Sequence, residues 1–123
     1  MGSSLQVAIV GFVGSKPEMR TVTTGDGAQE VASFSVAINR KTASGEQQTL
    51  WVRVSCWRKL AAVAVQYLDK GSLVQVTSDW LRSSSWLDRE GNPQSGVEIT
   101  ASRLVLLDRV DQAADDAEED VVF

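Results

Sequence analysis

Histidine is absent from the 123 residues, and cysteine occurs once, at Cys56. These absences remove most side-chain chemistry. Zinc sites need several Cys or His ligands, and acid–base catalysis near neutral pH runs most often through imidazole. A single thiol forms no internal disulfide and fits a reducing cytosol. No apolar run approaches the ~18 residues of a membrane span, so no membrane partner is expected. The start, MGSSLQVAIV, lacks a basic n-region, so no signal peptide is expected. The acids are scattered and no Gly-rich loop fits a phosphate; TTGDGAQ reads as a turn. The expectation is a protein that is not an enzyme, with no cofactor and no metal.

What the chain does have is unevenly placed charge. Of sixteen acids, six lie in residues 111–123 (Asp111, Asp115, Asp116, Glu118, Glu119 and Asp120) with no base among them. Residues 1–110 keep ten acids against all twelve bases, so the body is about +2 and the tail −6. An acidic tail on a slightly basic body points to two separate surfaces. At 43% hydrophobic the body can bury one core. The expected division is a domain over 1–110 and a flexible acidic tail over 111–123.

The body reads as β structure. Leu5 to Gly14 is apolar on both faces: Val7, Ile9 and Val13 share one, Ala8, Val10 and Phe12 the other. Such a strand is enclosed by the barrel or by a neighbouring subunit. GSKPEM and TTGDGAQ follow as turns. Val31 to Asn39 alternates, with Phe34, Val36 and Ile38 on one side. A third strand ends in LWVRVSCW. Residues 59–68 fit a short helix, with Leu60, Val63, Ala64, Tyr67 and Leu68 at helical spacing and Gly71 as its C′ residue. Two further strands, SLVQVTSDWLR and GVEITASRLVLL, flank a loop rich in Gly and Pro. Val74, Val76 and Leu81 keep one face only if a β-bulge near Thr77–Asp79 adds a residue. The fold class expected is all-β: five strands with one short helix between strands 3 and 4, the order of an OB-fold barrel. A generic α+β domain shares that order.

The third strand is the informative one. Leu50, Val52, Val54 and Cys56 take the inner parity, which sends Trp51, Arg53, Ser55 and Trp57 outward. Trp80, Arg82 and Trp86 join them if the bulge resets the phase. Core packing and a subunit contact are the competing uses of such tryptophans. Base stacking is the functional one, because every nucleobase has a π-face and each stacked base is worth about 1–3 kcal/mol. Arg40, Lys41, Arg53, Lys59, Lys70 and Arg82 are the candidate phosphate contacts.

These stretches, in their order, resemble the bacterial single-stranded DNA-binding protein family: VAIVGFVGSKPEMR, VASFSVAIN, WVRVSCWRKLAAVAVQYLDKGSLV, SSSWLDREGN and an acidic end. The resemblance implies an OB-fold subunit, assembled as a homotetramer, that wraps single-stranded DNA. It places Trp51 at the family's stacking Trp of strand three, Trp57 at an aromatic position, Trp86 at the stacking Trp of the loop joining strands four and five, and Lys59 and Lys70 at basic positions. It also implies a partner-binding tip at Glu118, Glu119, Asp120, Val121, Val122 and Phe123, which docks on enzymes of replication, recombination and repair. The resemblance thus implies a cytoplasmic, nucleoid-associated protein.

Departures from the family accompany the resemblance. Arg58 stands where the family usually has Gly. Ser83 to Ser85 replace a basic run, which predicts a shallower salt dependence. Trp80 is not a family signature, and the linker before the tip is nearly absent. An OB-fold protein-interaction or accessory subunit with weak DNA affinity is therefore the alternative function.

Overall fold

Alternating apolar residues fold here into a curled sheet around one core, described over residues 2–107 and 121–122 in a computed structural model. The strands are β1 Val7–Val13, β2 Glu18–Thr24, β3 Gly27–Lys41, β4 Gln47–Trp57, β5 Leu73–Ser78, β6 Leu81–Leu87, β7 Pro93–Thr100, β8 Arg103–Leu106 and β9 Val121–Val122, with helix α1 Lys59–Tyr67 after β4. Their order in the sheet is β6-β7-β4-β3-β1-β5-β8-β9, and β2 pairs with β3 off that path. The helix does lie between the third and fourth strands of the expected OB-fold. The sheet has two ends, at β6 and β9, so the barrel is not closed by hydrogen bonds.

Two predicted strands are each cut in two, for a physical reason. The fourth is cut at Asp79–Trp80. Ser78 is buried there, and its hydroxyl donates to the Trp80 carbonyl at 2.7 Å and accepts the Trp80 N–H at 3.2 Å. Before this corner the chain pairs with β1; after it, with β7. The fifth is cut at Ala101–Ser102, where the Ser102 N–H and hydroxyl both donate to the Thr77 carbonyl, at 2.8 and 3.0 Å. The two corners are thus tied together. The predicted bulge is this corner: Leu81 pairs with the buried Ile99, so the phase is reset.

The segment between the two predicted turns is a strand, β2, forming a hairpin with β3 from Glu18↔Ser33 to Thr24↔Gly27. Most of β2 is exposed, so no burial period marks it in the sequence.

Val36, Val52, Val54, Val74, Val76 and Leu104 are fully or almost fully buried and centre the core. The helix packs on it through Ala61, Ala64 and Leu68 rather than through the predicted Tyr67, which is exposed. Two alanines allow α1 to sit close against β3 and β4, and this rotates the packed face. Leu68 caps the helix in an extended conformation. Gly71, at φ 93°, lies beyond it in a turn, and its N–H donates to the Val13 carbonyl at 2.7 Å. Leu50 has the inner parity but is 48% exposed, because the β3–β4 hairpin runs past the core there. Cys56 is fully buried, and desolvation pushes its thiol up to about 12.

Candidate nucleic-acid interface

Period 2 along β4 places Trp51, Arg53, Ser55 and Trp57 on the face opposite Val52, Val54 and Cys56. At about 3.3 Å per residue, Trp51 and Trp57 stand roughly 20 Å apart along the strand. Trp51 is 46% exposed and Trp57 is half-buried, so neither indole is sealed in the core.

Each end of this face is a cleft. The first, about 470 Å³, is lined by Gly14, Ser35, Trp51, Arg53, Trp86 and Val97 among others. Its two indoles are seated on glycines. A Cβ at Gly14 would meet Trp51 Cζ3 at 2.6 Å, and one at Gly96 would meet Trp86 Cη2 at 3.1 Å. Any larger residue would push the rings off these seats. The second cleft, about 390 Å³, includes Arg20, Arg53, Trp57, Trp80, Arg82 and Glu98. Trp80 is 67% exposed there, turned outward by the Ser78 corner. Arg53 lines both clefts and a third depression that also holds Arg20.

The loop between β6 and β7 holds Trp86 near this face. Asp88 organises it: one carboxylate oxygen accepts the N–H of Glu90 at 2.9 Å and of Asn92 at 2.8 Å, and the other accepts from the Gln94 amide at 3.1 Å. The Asn92 N–H leads the bonds that hold this carboxyl below its usual range.

The clefts therefore collect Trp51, Trp57, Trp80, Trp86, Arg53 and Arg82 from the residues that the sequence singled out. The others lie elsewhere. Arg40 donates through Nε and Nη2 to Gln48 Oε1, at 3.2 and 3.1 Å, beside a separate depression on the β3–β4 hairpin. Lys41 ends β3, Lys59 opens α1 and Lys70 sits in the turn after it, all exposed. Glu118, Glu119, Asp120 and Phe123 lie outside the described residues. Val121 and Val122 form β9, antiparallel to Val105 and Leu106.

Sequence reasoning missed Gly14, Gly96, Arg20 and Glu98. The glycines carry no periodic signal, and β2, which holds Arg20, is too exposed for an apolar alternation to mark it as a strand. Glu98 has the parity of Trp51 only through the β4–β7 register, Arg53↔Glu98. Among the described residues no cluster of three or more His, Cys, Asp or Glu is placed to hold a metal, and no helix is long and apolar enough to cross a membrane.

Comparison with known proteins bears on the family and the fold. The model of the single-strand binding protein family matches residues 5–107. Single-stranded DNA-binding protein 1 of Synechocystis is 32% identical over 102 residues, which covers 82% of this chain and 81% of that protein. Its namesake in Xylella fastidiosa is 31% identical over 109 residues, covering 87% and 79%. A solved structure described as a Plasmodium falciparum SSB complex with ssDNA superposes with a TM-score of 0.67 at 26% identity, covering 88% of this chain and 98% of that one.

Proposed function

We propose that this chain, which belongs to the single-strand binding protein family, binds single-stranded DNA without regard to sequence and without catalysis, in the groove along β4. One observation carries the reading: Arg53 faces two clefts, with Trp51 and Trp86 in one and Trp57 and Trp80 in the other. Flat apolar rings hold bases, and a guanidinium between them holds the linking phosphates. Arg82 contributes at the second cleft. Arg40, Lys41, Lys59 and Lys70 lie outside it and guide the strand beyond the groove by charge alone.

The biological role that follows is protection of single strands during replication, recombination and repair, in the cytoplasm at the nucleoid. Residues 1–110 are the binding domain and 111–123 the tail. Its tip, Glu118 to Phe123, recruits partner enzymes: the acids steer encounter, and Phe123 fills an apolar pocket with its α-carboxylate on a basic residue. The subunits assemble as a homotetramer. The outer face of β1 supports assembly, since Val10 and Phe12 are each 49% exposed there beside Ala8. A second copy covering that face removes two large apolar side chains from water.

The test is a titration of tryptophan fluorescence with oligo-dT, together with solution mass. Strong quenching with a defined site size is expected. The alternative, an accessory subunit with weak DNA affinity, is favoured by the neutral Ser83–Ser85 run and by the Arg82–Glu98 ion pair, which reduces the positive charge of the groove. That reading takes over if no quenching occurs at low salt.

A further inference from the structure

The second cleft contains a carboxylate where a DNA-binding surface has least use for one. Glu98 lies on β7 between two arginines in register, Arg53 on β4 and Arg82 on β6. Arg82 Nη2 donates to Glu98 Oε1 at 3.0 Å. The three side chains form a row, positive, negative, positive, that crosses the groove between the two tryptophan pairs. The side chain of Arg82 is 73% exposed and that of Glu98 only 25% exposed, so the cation faces solvent and the anion lies deeper.

We propose that Glu98 is an affinity-setting residue that acts as a fixed competitor for DNA phosphates at the centre of the groove. This rests on the single-stranded DNA reading above. An arginine already neutralised by a carboxylate neutralises less of an arriving phosphate's charge, so fewer of the cations condensed on the DNA are released. The carboxylate also repels the incoming phosphate directly. With Glu98 in place, three arginines in the cleft, Arg20, Arg53 and Arg82, act with a net charge near +2. The groove thereby holds DNA through stacking more than through charge. It releases the strand more readily at low salt, and its affinity varies less with ionic strength.

Glu98→Gln removes the charge and keeps the shape. Oligo-dT titrations between 50 and 200 mM salt would compare the wild type, Glu98→Gln, Arg82→Gln and the double variant, with circular dichroism reporting the fold. Glu98→Gln is expected to bind more tightly and to steepen the slope of log K against log salt by up to ~0.7, which is a loss about 2.5-fold larger over that range. Arg82→Gln is expected to weaken binding less in the wild-type background than in the Glu98→Gln background. If Glu98→Gln does not fold, the double variant against Arg82→Gln gives the same comparison, and tighter binding by the double variant is expected. Weaker binding, or an unchanged slope, overturns the proposal and makes Glu98 a positioning residue for the arginines. Absence of binding by the wild type instead overturns the single-stranded DNA reading.

Discussion

Gly14→Ala tests whether the Trp51 indole is a seated platform. The added methyl would stand 2.6 Å from Cζ3 and 3.1 Å from Cη2 of Trp51, where ordinary contact is 3.4–4 Å. The far edge of the ring must therefore retreat by roughly 1 Å to restore contact. The stability cost is small. The atoms that move are the tip of a half-exposed side chain, and alanine at this position just beyond β1, where φ is not left-handed, recovers about 0.4–1 kcal/mol by restricting the unfolded chain. The melting temperature should shift by no more than a few degrees. Binding should respond more. A stacked base is worth about 1–3 kcal/mol, and losing half of one such contact raises Kd about 2- to 12-fold. Oligo-dT titration and calorimetry on the same preparation give both readouts. Gly11→Ala is the contrasting control: its Cβ would run into the Ala37 carbonyl oxygen and stand 2.7 Å from Val36 Cγ1, so it should lower stability markedly. A folded Gly14→Ala protein with wild-type Kd and wild-type quenching would refute the seating argument.

Trp51→Ala and Trp57→Ala should each weaken oligo-dT binding by about 1–3 kcal/mol while the oligomer persists; unchanged affinity in both would reassign the rings. Deleting residues 118–123 should leave DNA binding intact or tighter, because negative charge is removed, and should abolish pull-down of partner enzymes; retained pull-down would refute the tip assignment. Arg58→Gly should stabilise the protein by about 1 kcal/mol: a non-glycine residue at φ 56°, ψ −116° costs about 1–3 kcal/mol, and the exposed Arg58 Nε to Gln29 Oε1 bond lost in exchange is worth less. A lower melting temperature would contradict this. The Cys56 thiol should resist alkylating reagents until unfolding. Its folded pKa is raised from 9.0 to about 12, so its contribution to stability is complete below pH 9 and is lost as pH rises toward 12, by up to about 1.4 kcal/mol per unit. Cys56→Ala should lack that alkaline loss.

Some of this structure was legible beforehand because its signals are local. The alternation of LWVRVSCW separated Trp51, Arg53 and Trp57 from Val52, Val54 and Cys56, and that division holds in the structure. The position of α1 followed from helical spacing within two residues of its ends. Other features were not legible because they depend on residues distant in sequence. The predicted fourth and fifth strands break where Ser78 and Ser102 bind backbone groups, and nothing in their spacing marks those bonds. Tyr67 had the correct period for the packed face but lost it to Ala61, because small side chains set how close the helix could approach.

The sequence by itself determined the parity of the tryptophan strand, the division of charge between body and tail, and the exclusion of histidine and multi-cysteine chemistry, since all three depend only on the order and identity of residues. The tertiary structure decided which tryptophans share a cleft, which glycines seat them and where Glu98 meets Arg82. Strand register pairs Val7 with Ser78, 71 positions away, and Val52 with Val97, 45 away, and pairings at that range are chosen by the packing of the whole core rather than by any local pattern.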